Sequence, residues 1–396
     1  MNNNKKNVLI IMNNLRVGGA EKALISLLQT FNYSLYNVDL LLFTKEGLFL
    51  NQVPKSVTIL EVPTGYKFFD MSFTKAIFNA IKLGRFDIVI NRIAMVYLFK
   101  TEHNVAVREQ KLWKFLGKCL QPISKKYDLA IGYLEKTPNY FCADKVTAAV
   151  KVGFVHNDYE KLELDKSFDY QCFNKLNYIA TVSNECLAAL QRSFPNFLEK
   201  LLVIENISAP NLILKLANEA INPLYSGLKL ITLGRLAPQK GYDLLIETAH
   251  ILKQNNIDFR WYILGIGELQ NELNALIISH NLQEEIVFLG LKENPYPYIK
   301  QADIYIQPSR FEGKSLAIDE AKILKKPIIV TNFSTAKDQI KSEENGLIVA
   351  MNPTAIADGI IRLKNDVQLQ NNFTFNLSKE KMGNEDQIEK IYALVK

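Results

Sequence analysis

Two open, doubly wound α/β halves are predicted by three observations. Short apolar runs alternate with helical patterns along the chain. The loops that follow those runs carry glycines and cations, as at the C-terminal edge of a parallel sheet. A stretch with Pro210, Pro223 and Gly227, residues 209–227, interrupts the pattern midway, and the pattern then restarts. A length of 396 residues suits two domains of ordinary size.

In the first half, residues 8–12 form a buried-strand candidate. A loop with Gly18-Gly19-Ala20-Glu21 and a helix through Leu24, Leu27 and Leu28 follow, which is the βα unit of a Rossmann-type sheet. Strands are expected at 38–43, 57–62, 87–90 and 128–132, the last two each opened by an aspartate. Helices are expected at 73–84 and 106–120. The second of these sets Val107, Leu112, Trp113, Phe115 and Leu116 against Arg108, Lys111, Lys114 and Lys118. That pattern suits either a membrane-surface segment or a core-packed helix with a solvated basic face. Residues 149–155 read as a strand ending at His156-Asn157-Asp158, and strand ends are where open α/β sheets bind ligands. A strand at 178–182, a helix at 185–194 capped by Ser183 and a strand at 202–204 complete this half.

The second half repeats the alternation without detectable repetition of residues. Strand 229–233 leads into Gly234-Arg235-Leu236-Ala237-Pro238-Gln239-Lys240-Gly241 and a helix at 242–254. Strand 259–264 leads into Gly265-Ile266-Gly267-Glu268 and a helix at 269–280. Strand 286–289 ends at Gly290, and strand 304–306 enters the stretch 310–331. There Glu312 and Gly313 precede a helix at 315–324, Lys325 and Lys326 close it, and residues 328–330 form a strand. A further element starts near Val349, and a helix is expected at 353–364.

Composition excludes several classes. The chain is 48% hydrophobic and 22% charged, ordinary for a packed globular protein. Its 4 cysteines form no C-x-x-C pair, which argues against a disulfide framework or a structural zinc and suits a reducing cytoplasm. No signal-peptide core or membrane span is legible, so a cytoplasmic protein, able to sit at the inner face of the membrane, is expected. The net charge of +6 is uneven: residues 1–205 hold 26 Lys/Arg and 19 Asp/Glu, the rest 21 and 22. Within 73–126 there are 11 basic and 3 acidic residues, which suits an anionic inner-membrane surface. No nucleic-acid module accompanies that charge. The P-loop, H-E-x-x-H and G-x-S-x-G motifs are absent, as is any D-x-D triplet that would hold a metal-bridged diphosphate.

The chemistry gathers in the second half. Arg235, Lys240, two glycine turns and the N-terminus of the 315–324 helix can together hold a diphosphate. Glu312 and Glu320 can accept hydrogen bonds from sugar hydroxyls. Each residue alone fits an ordinary solvated surface; the combination fits a nucleotide-sugar.

The set Gly234-Arg235-Leu236, Lys240-Gly241, Gly265-Ile266-Gly267 and Glu312-x7-Glu320 resembles the family-4 retaining glycosyltransferases of GT-B fold. With Gly18-Gly19 and His156-Asn157-Asp158 added, the resemblance covers most of the chain and points to bacterial capsule, exopolysaccharide and O-antigen enzymes. It implies two Rossmann-like domains facing each other across a cleft, an acceptor-side domain at 1–207 and a donor domain at 208–379, with a final helix at 380–396 packed back on the first. It implies that Arg235 and Lys240 bind the donor diphosphate, that Glu320 holds the ribose, and that Glu312 lies by the transferred sugar. Gly313, Lys314, Ser315 and Leu316 would touch sugar and phosphate, His156 the donor sugar, and Gly18 and Gly19 the donor phosphates and acceptor. Gly265 and Gly267 would line the donor site. Lys314 departs from the uncharged residue many members have there, which leaves the sugar open.

The expected reaction moves a hexose-type sugar from a UDP-sugar to a glycan or lipid-linked saccharide, with retention and without a metal or other cofactor. The leaving nucleotide would be neutralised by Arg235, Lys240 and the helix end, and its phosphate would take the acceptor proton. A sugar-nucleotide epimerase of the same fold and a catalytically silent nucleotide-sugar-binding protein remain the alternatives.

Overall fold

The computed structural model describes residues 5–16 and 18–395. The chain divides into two compact units, residues 1–206 with 386–396, and residues 207–385. The final helix, expected over 380–396, spans Gln387–Leu394, and residues 380–385 sit in the second unit.

The first unit is a seven-stranded parallel sheet of β1 (Lys6–Met12), β2 (Tyr36–Leu42), β3 (Val57–Ile59), β4 (Lys126–Gly132), β5 (Thr147–Val155), β6 (Tyr178–Thr181) and β7 (Leu201–Val203). Its spatial order is β3-β2-β1-β4-β5-β6-β7. The second unit is a six-stranded parallel sheet of β8 (Leu228–Leu233), β9 (Phe259–Leu264), β10 (Ile286–Gly290), β11 (Ile304–Gln307), β12 (Ile328–Thr331) and β13 (Leu347–Val349). Its order is β10-β9-β8-β11-β12-β13. Both sheets therefore start in the middle, grow to one edge and then reverse, so each has its switch point beside its first strand. In the second unit β8 pairs with β9 from Leu228–Phe259 to Leu233–Leu264, and with β11 through Ile304–Leu230 and Tyr305–Ile231.

The central strands are buried on both faces, which is why they read as unbroken apolar runs. In the second unit Trp261, Ile263, Ile304 and Ile306 point to one core layer, and Tyr262, Leu264, Tyr305 and Val330 to the other. The Gln387–Leu394 helix buries Ile388 and Ile391, and Tyr392 stacks on Tyr36 with ring centroids 4.5 Å apart.

Three expectations need correction. Residues 87–90 are not a strand: they lie in a helix, Phe86–Thr101, that buries Ile88, Asn91, Met95 and Leu98. That spacing is helical, and four apolar residues alone could not separate the two readings. The 209–227 stretch is not all loop: Pro210 starts a helix, Pro210–Leu216, at the position where proline is preformed for one. The 315–324 helix is shorter, Leu316–Ile323; Lys325 adopts a left-handed conformation with φ 55°, and the Lys326 amine is buried against the Ala302 carbonyl at 2.7 Å. Helices at Tyr296–Gln301 and Val367–Lys379 had no sequence expectation.

Candidate active site

The switch point of the second sheet lies between β8 and β11. The loops leaving these two strands carry most of the candidate residues. From β8 the chain runs through Gly234 and Arg235 to a single turn of 3₁₀ helix, Pro238–Lys240, and then into the helix Tyr242–Gln254. From β11 it runs through Ser309, Glu312 and Ser315 into the helix Leu316–Ile323.

The structure brings Glu312 and Lys240 together. Glu312 is 5% exposed, and its Oε1 accepts from Lys240 Nζ at 2.6 Å, Gln307 Nε2 at 2.7 Å and Ser309 Oγ at 2.6 Å. Three donors on one oxygen, one of them charged, offset the cost of burying a carboxylate. Thr335 Oγ1 also holds the Glu312 carbonyl at 3.0 Å. Gln307 extends the network, because its Oε1 accepts from Tyr305 at 2.7 Å and from Ser315 Oγ at 3.0 Å.

Tyr305 lies within electrostatic reach of both glutamates. Its hydroxyl is fully buried, and burial first, then the nearby Glu320 and Glu312 carboxylates, pushes its pKa far up. Glu320 is 3% exposed on the inner face of its helix, with the Tyr296 hydroxyl donating to its Oε1 at 3.2 Å. The Glu-x7-Glu spacing thus places one buried carboxylate in the loop and the other inside the helix.

Gln339 organises the helix start. Its Oε1 accepts the Ser315 N–H at 2.9 Å, and its Nε2 donates to the Ser315 carbonyl at 2.8 Å and to Asp319 at 2.8 Å. The Ser315 N–H is therefore committed within the protein. Lys314 lies 3.8 Å from Asp319, both side chains mostly buried, so its charge is met on its own element. Gly313 and Leu316 are buried beside them.

Arg235 contrasts with its neighbours. It is exposed, and among the described residues it has no ion pair. Arg310, by comparison, is tied to Asp243 and to the Pro238 carbonyl, and that pairing holds the Asp243 carboxyl low. Arg310 fastens the β11 loop to the β8 loop. The glycines do the same by close approach. At Gly241, φ is 66° and a Cβ would lie 2.0 Å from the Pro308 carbonyl oxygen; at Gly265 a Cβ would lie 1.9 Å from the Gly234 oxygen. At Gly267 a Cβ would lie 2.3 Å from the Leu236 carbonyl oxygen.

In the first unit, Gly18 precedes the helix Gly19–Thr30 after β1, with the Glu21 carboxylate folded over it. His156 follows β5 and is 6% exposed. Its ring packs on Tyr133 at 4.9 Å and Phe154 at 5.4 Å between centroids. Burial lowers its pKa to about 4, although the Tyr133 backbone and the Asn206 side chain pull it up a little. Neither ring nitrogen has a hydrogen-bond partner of good geometry among the described residues, so those two contacts are weak ones. The loop holding His156 is clamped by Glu135, whose Oε1 accepts the His156 N–H at 2.6 Å and the Asn157 N–H at 3.1 Å. Burial pushes the Glu135 carboxyl up, against those N–H groups.

Sequence reasoning missed Glu135, Tyr305, Gln307, Ser309, Tyr296 and Gln339. Gln307 and Ser309 stood next to Glu312 at the end of an expected strand, and that position was the available signal. Glu135, Tyr296 and Gln339 come from distant parts of the chain and carried none. Among the described residues no group of three or more His, Cys, Asp or Glu is placed to hold a metal ion.

A reversing parallel sheet with a buried carboxylate, a paired lysine and an uncommitted arginine at its switch point defines a doubly wound α/β class with a candidate ligand site. The fold is that of GT-B glycosyltransferases: Anabaena HepE, solved with UDP-glucose, superposes with a TM-score of 0.69 over 98% of each chain at 15% identity. Residues 220–379, which lie within the second unit, match the family "Glycosyl transferases group 1". Two relatives align over the same scale. The N-acetylgalactosamine-N,N'-diacetylbacillosaminyl-diphospho-undecaprenol 4-alpha-N-acetylgalactosaminyltransferase of Campylobacter jejuni is 32% identical over 143 residues, covering 36% of this chain and 38% of that one. The UDP-Gal:alpha-D-GlcNAc-diphosphoundecaprenol alpha-1,3-galactosyltransferase of Escherichia coli is 31% identical over 137 residues, covering 34% and 35%. The chain thus spans less than half the length of these curated relatives in the matched segments.

Proposed function

We propose that this protein transfers a hexose-type sugar from a UDP-sugar to a glycan or lipid-linked saccharide in surface-polysaccharide synthesis. The observation that carries the reading is the Glu312–Lys240 pair, fixed at the switch point of the sheet in the segment that matches the group 1 glycosyltransferases. Both relatives named above act, by their names, on diphospho-undecaprenol-linked saccharides, which supports a lipid-linked acceptor.

In this reading the donor diphosphate is met by Arg235 and by Lys240, which is then shared between phosphate and Glu312. The N-terminus of the Leu316–Ile323 helix adds its dipole. These charges neutralise the leaving nucleotide as the glycosidic bond breaks. The acceptor oxygen forms the new bond on the same face, its proton passes to the departing phosphate, and the anomeric configuration is retained. Glu312 is held too tightly by its three donors to swing in as a nucleophile, and positions the sugar instead. Glu320 takes the ribose hydroxyls. The diphosphate needs no metal in this scheme.

The test is UDP release from a panel of UDP- and GDP-sugars, with and without lipid-linked acceptors, followed by NMR of the product anomer. Acceptor-dependent release, insensitive to EDTA and with the donor's configuration kept, is expected. Acceptor-independent release of UDP would support the epimerase reading instead. Binding of UDP-sugars without release under any condition would leave a silent binding protein.

A further inference from the structure

The first unit carries an apolar surface that its own core does not use. The helix Phe86–Thr101 buries Ile88, Asn91, Met95 and Leu98 on one side. Its opposite side presents Phe86, Ile90, Ile93 and Tyr97, spaced by four, three and four residues, a single face of an α-helix. These side chains are 62%, 67%, 56% and 72% exposed. The preceding helix, Phe73–Lys82, adds Phe78 at 70% and Ile81 at 52%. A contiguous exposed apolar face of this kind marks an interaction surface.

Its charge says what it meets. Lys75, Lys82 and Lys100 are exposed on the same two helices and have no acidic partner among the described residues. Of the three acids at 67–102, Asp87 is paired with Arg85 at 2.7 Å and Glu102, just past the second helix, with Lys111 at 2.5 Å, while Asp70 has no ion pair among the described residues. A second copy docked face to face would set these lysines against one another with only Asp70 left to receive them. An anionic lipid headgroup layer answers both features, taking aromatic and aliphatic side chains below the phosphates and ammonium groups among them.

We propose that the outward face of Phe86–Thr101, with Phe78 and Ile81, docks on an anionic bilayer surface. This moves the membrane contact away from the segment 106–120, whose Trp113 and Leu116 are buried in the core. It rests on the reading above only for its purpose, since a lipid-linked acceptor lies in a membrane.

The experiment is flotation of the full chain, without substrate, on phosphatidylcholine vesicles and on vesicles mixed with phosphatidylglycerol. Binding to the mixed vesicles alone, weakened by salt, is expected. Ile93→Ser with Tyr97→Ser should lose it while the circular dichroism melt stays unchanged, because both residues are exposed. Lys75→Gln with Lys82→Gln should weaken it by about fivefold per lysine. The proposal is overturned if the parent does not float with anionic vesicles or if the Ser variant floats as well as the parent. It is also overturned if light scattering shows a dimer that the Ser variant dissolves while neither protein floats. UDP release is read separately, so failure of flotation leaves the transfer reading to its own assay.

Discussion

Glu312 and Lys240 behave as one unit, because the lysine that offsets the carboxylate's burial is also the cation proposed for the donor phosphate. Glu312→Gln keeps the size and two acceptor lone pairs but loses the charge that holds Lys240. Turnover should fall by at least about tenfold while UDP affinity, by calorimetry, changes little. Lys240→Ala leaves the buried carboxylate without its cation, so UDP affinity and turnover should both fall. Thermal or urea unfolding should show a loss on the order of 3 kcal/mol. Full turnover in Lys240→Ala would remove the diphosphate assignment. His156 makes a pH prediction. Its folded pKa of about 4 lies below an unfolded value near ~6.5, so between them the unfolded chain binds more protons. Its contribution is present above that unfolded value and is lost as pH falls toward 4, by about 3 kcal/mol in all. Glu135, raised by burial, acts in the opposite sense, so His156→Gln must be compared with the parent at each pH. The variant's unfolding midpoint should fall less steeply on acidification; an identical slope would mean that His156 is not buried in its neutral form.

Loops at this site are joined by glycines as much as by hydrogen bonds. Gly241→Ala combines a left-handed φ of 66° with a Cβ 2.0 Å from the Pro308 oxygen. It should cost at least ~1–2 kcal/mol from backbone strain alone, and it should weaken UDP binding by pushing the β8 and β11 loops apart. Gly19→Ala is the control, since a Cβ there meets nothing within 4 Å and stability should not change. Parent-like stability and UDP affinity in Gly241→Ala would contradict the close approach. Elements that follow strong periodicity were legible: the Tyr242–Gln254 helix and the Phe259–Leu264 strand lie where the sequence places them. The run at 87–90 was not, because its apolar residues serve two faces of one helix, and outward-facing Ile90 mimics a strand's continuous burial. At the site, Arg235, Lys240, Glu312 and Glu320 were visible because local motifs carry them. Their supports were hidden because contacts such as Gln339 to Ser315 and Glu135 to His156 join residues more than twenty positions apart.

At the scale of the whole chain, two sheets share the same reversing order although their sequences do not repeat. Topology is set by where strands and crossovers fall, which tolerates wide exchange of side chains. The last eleven residues, 386–396, belong to the first unit, so the two ends of the chain are one folding problem. The Tyr392 ring stacks on Tyr36, its hydroxyl accepts the Asn32 N–H at 2.7 Å, and Lys390 donates to the Val203 carbonyl at 3.0 Å. Ile388 and Ile391 are buried beside it. Removing residues 386–396 should therefore cost the first unit roughly 5 kcal/mol, counting three apolar side chains at about 1.5–3 kcal/mol each. The second unit keeps its own core and the proposed UDP site, so UDP should still raise its unfolding temperature by mass action. Calorimetry of the truncated chain should show a lowered, UDP-independent transition beside a UDP-dependent one near its parent position. If the UDP-dependent transition moved instead, the terminal helix would be stabilising the other unit, and the division at residue 386 would be wrong.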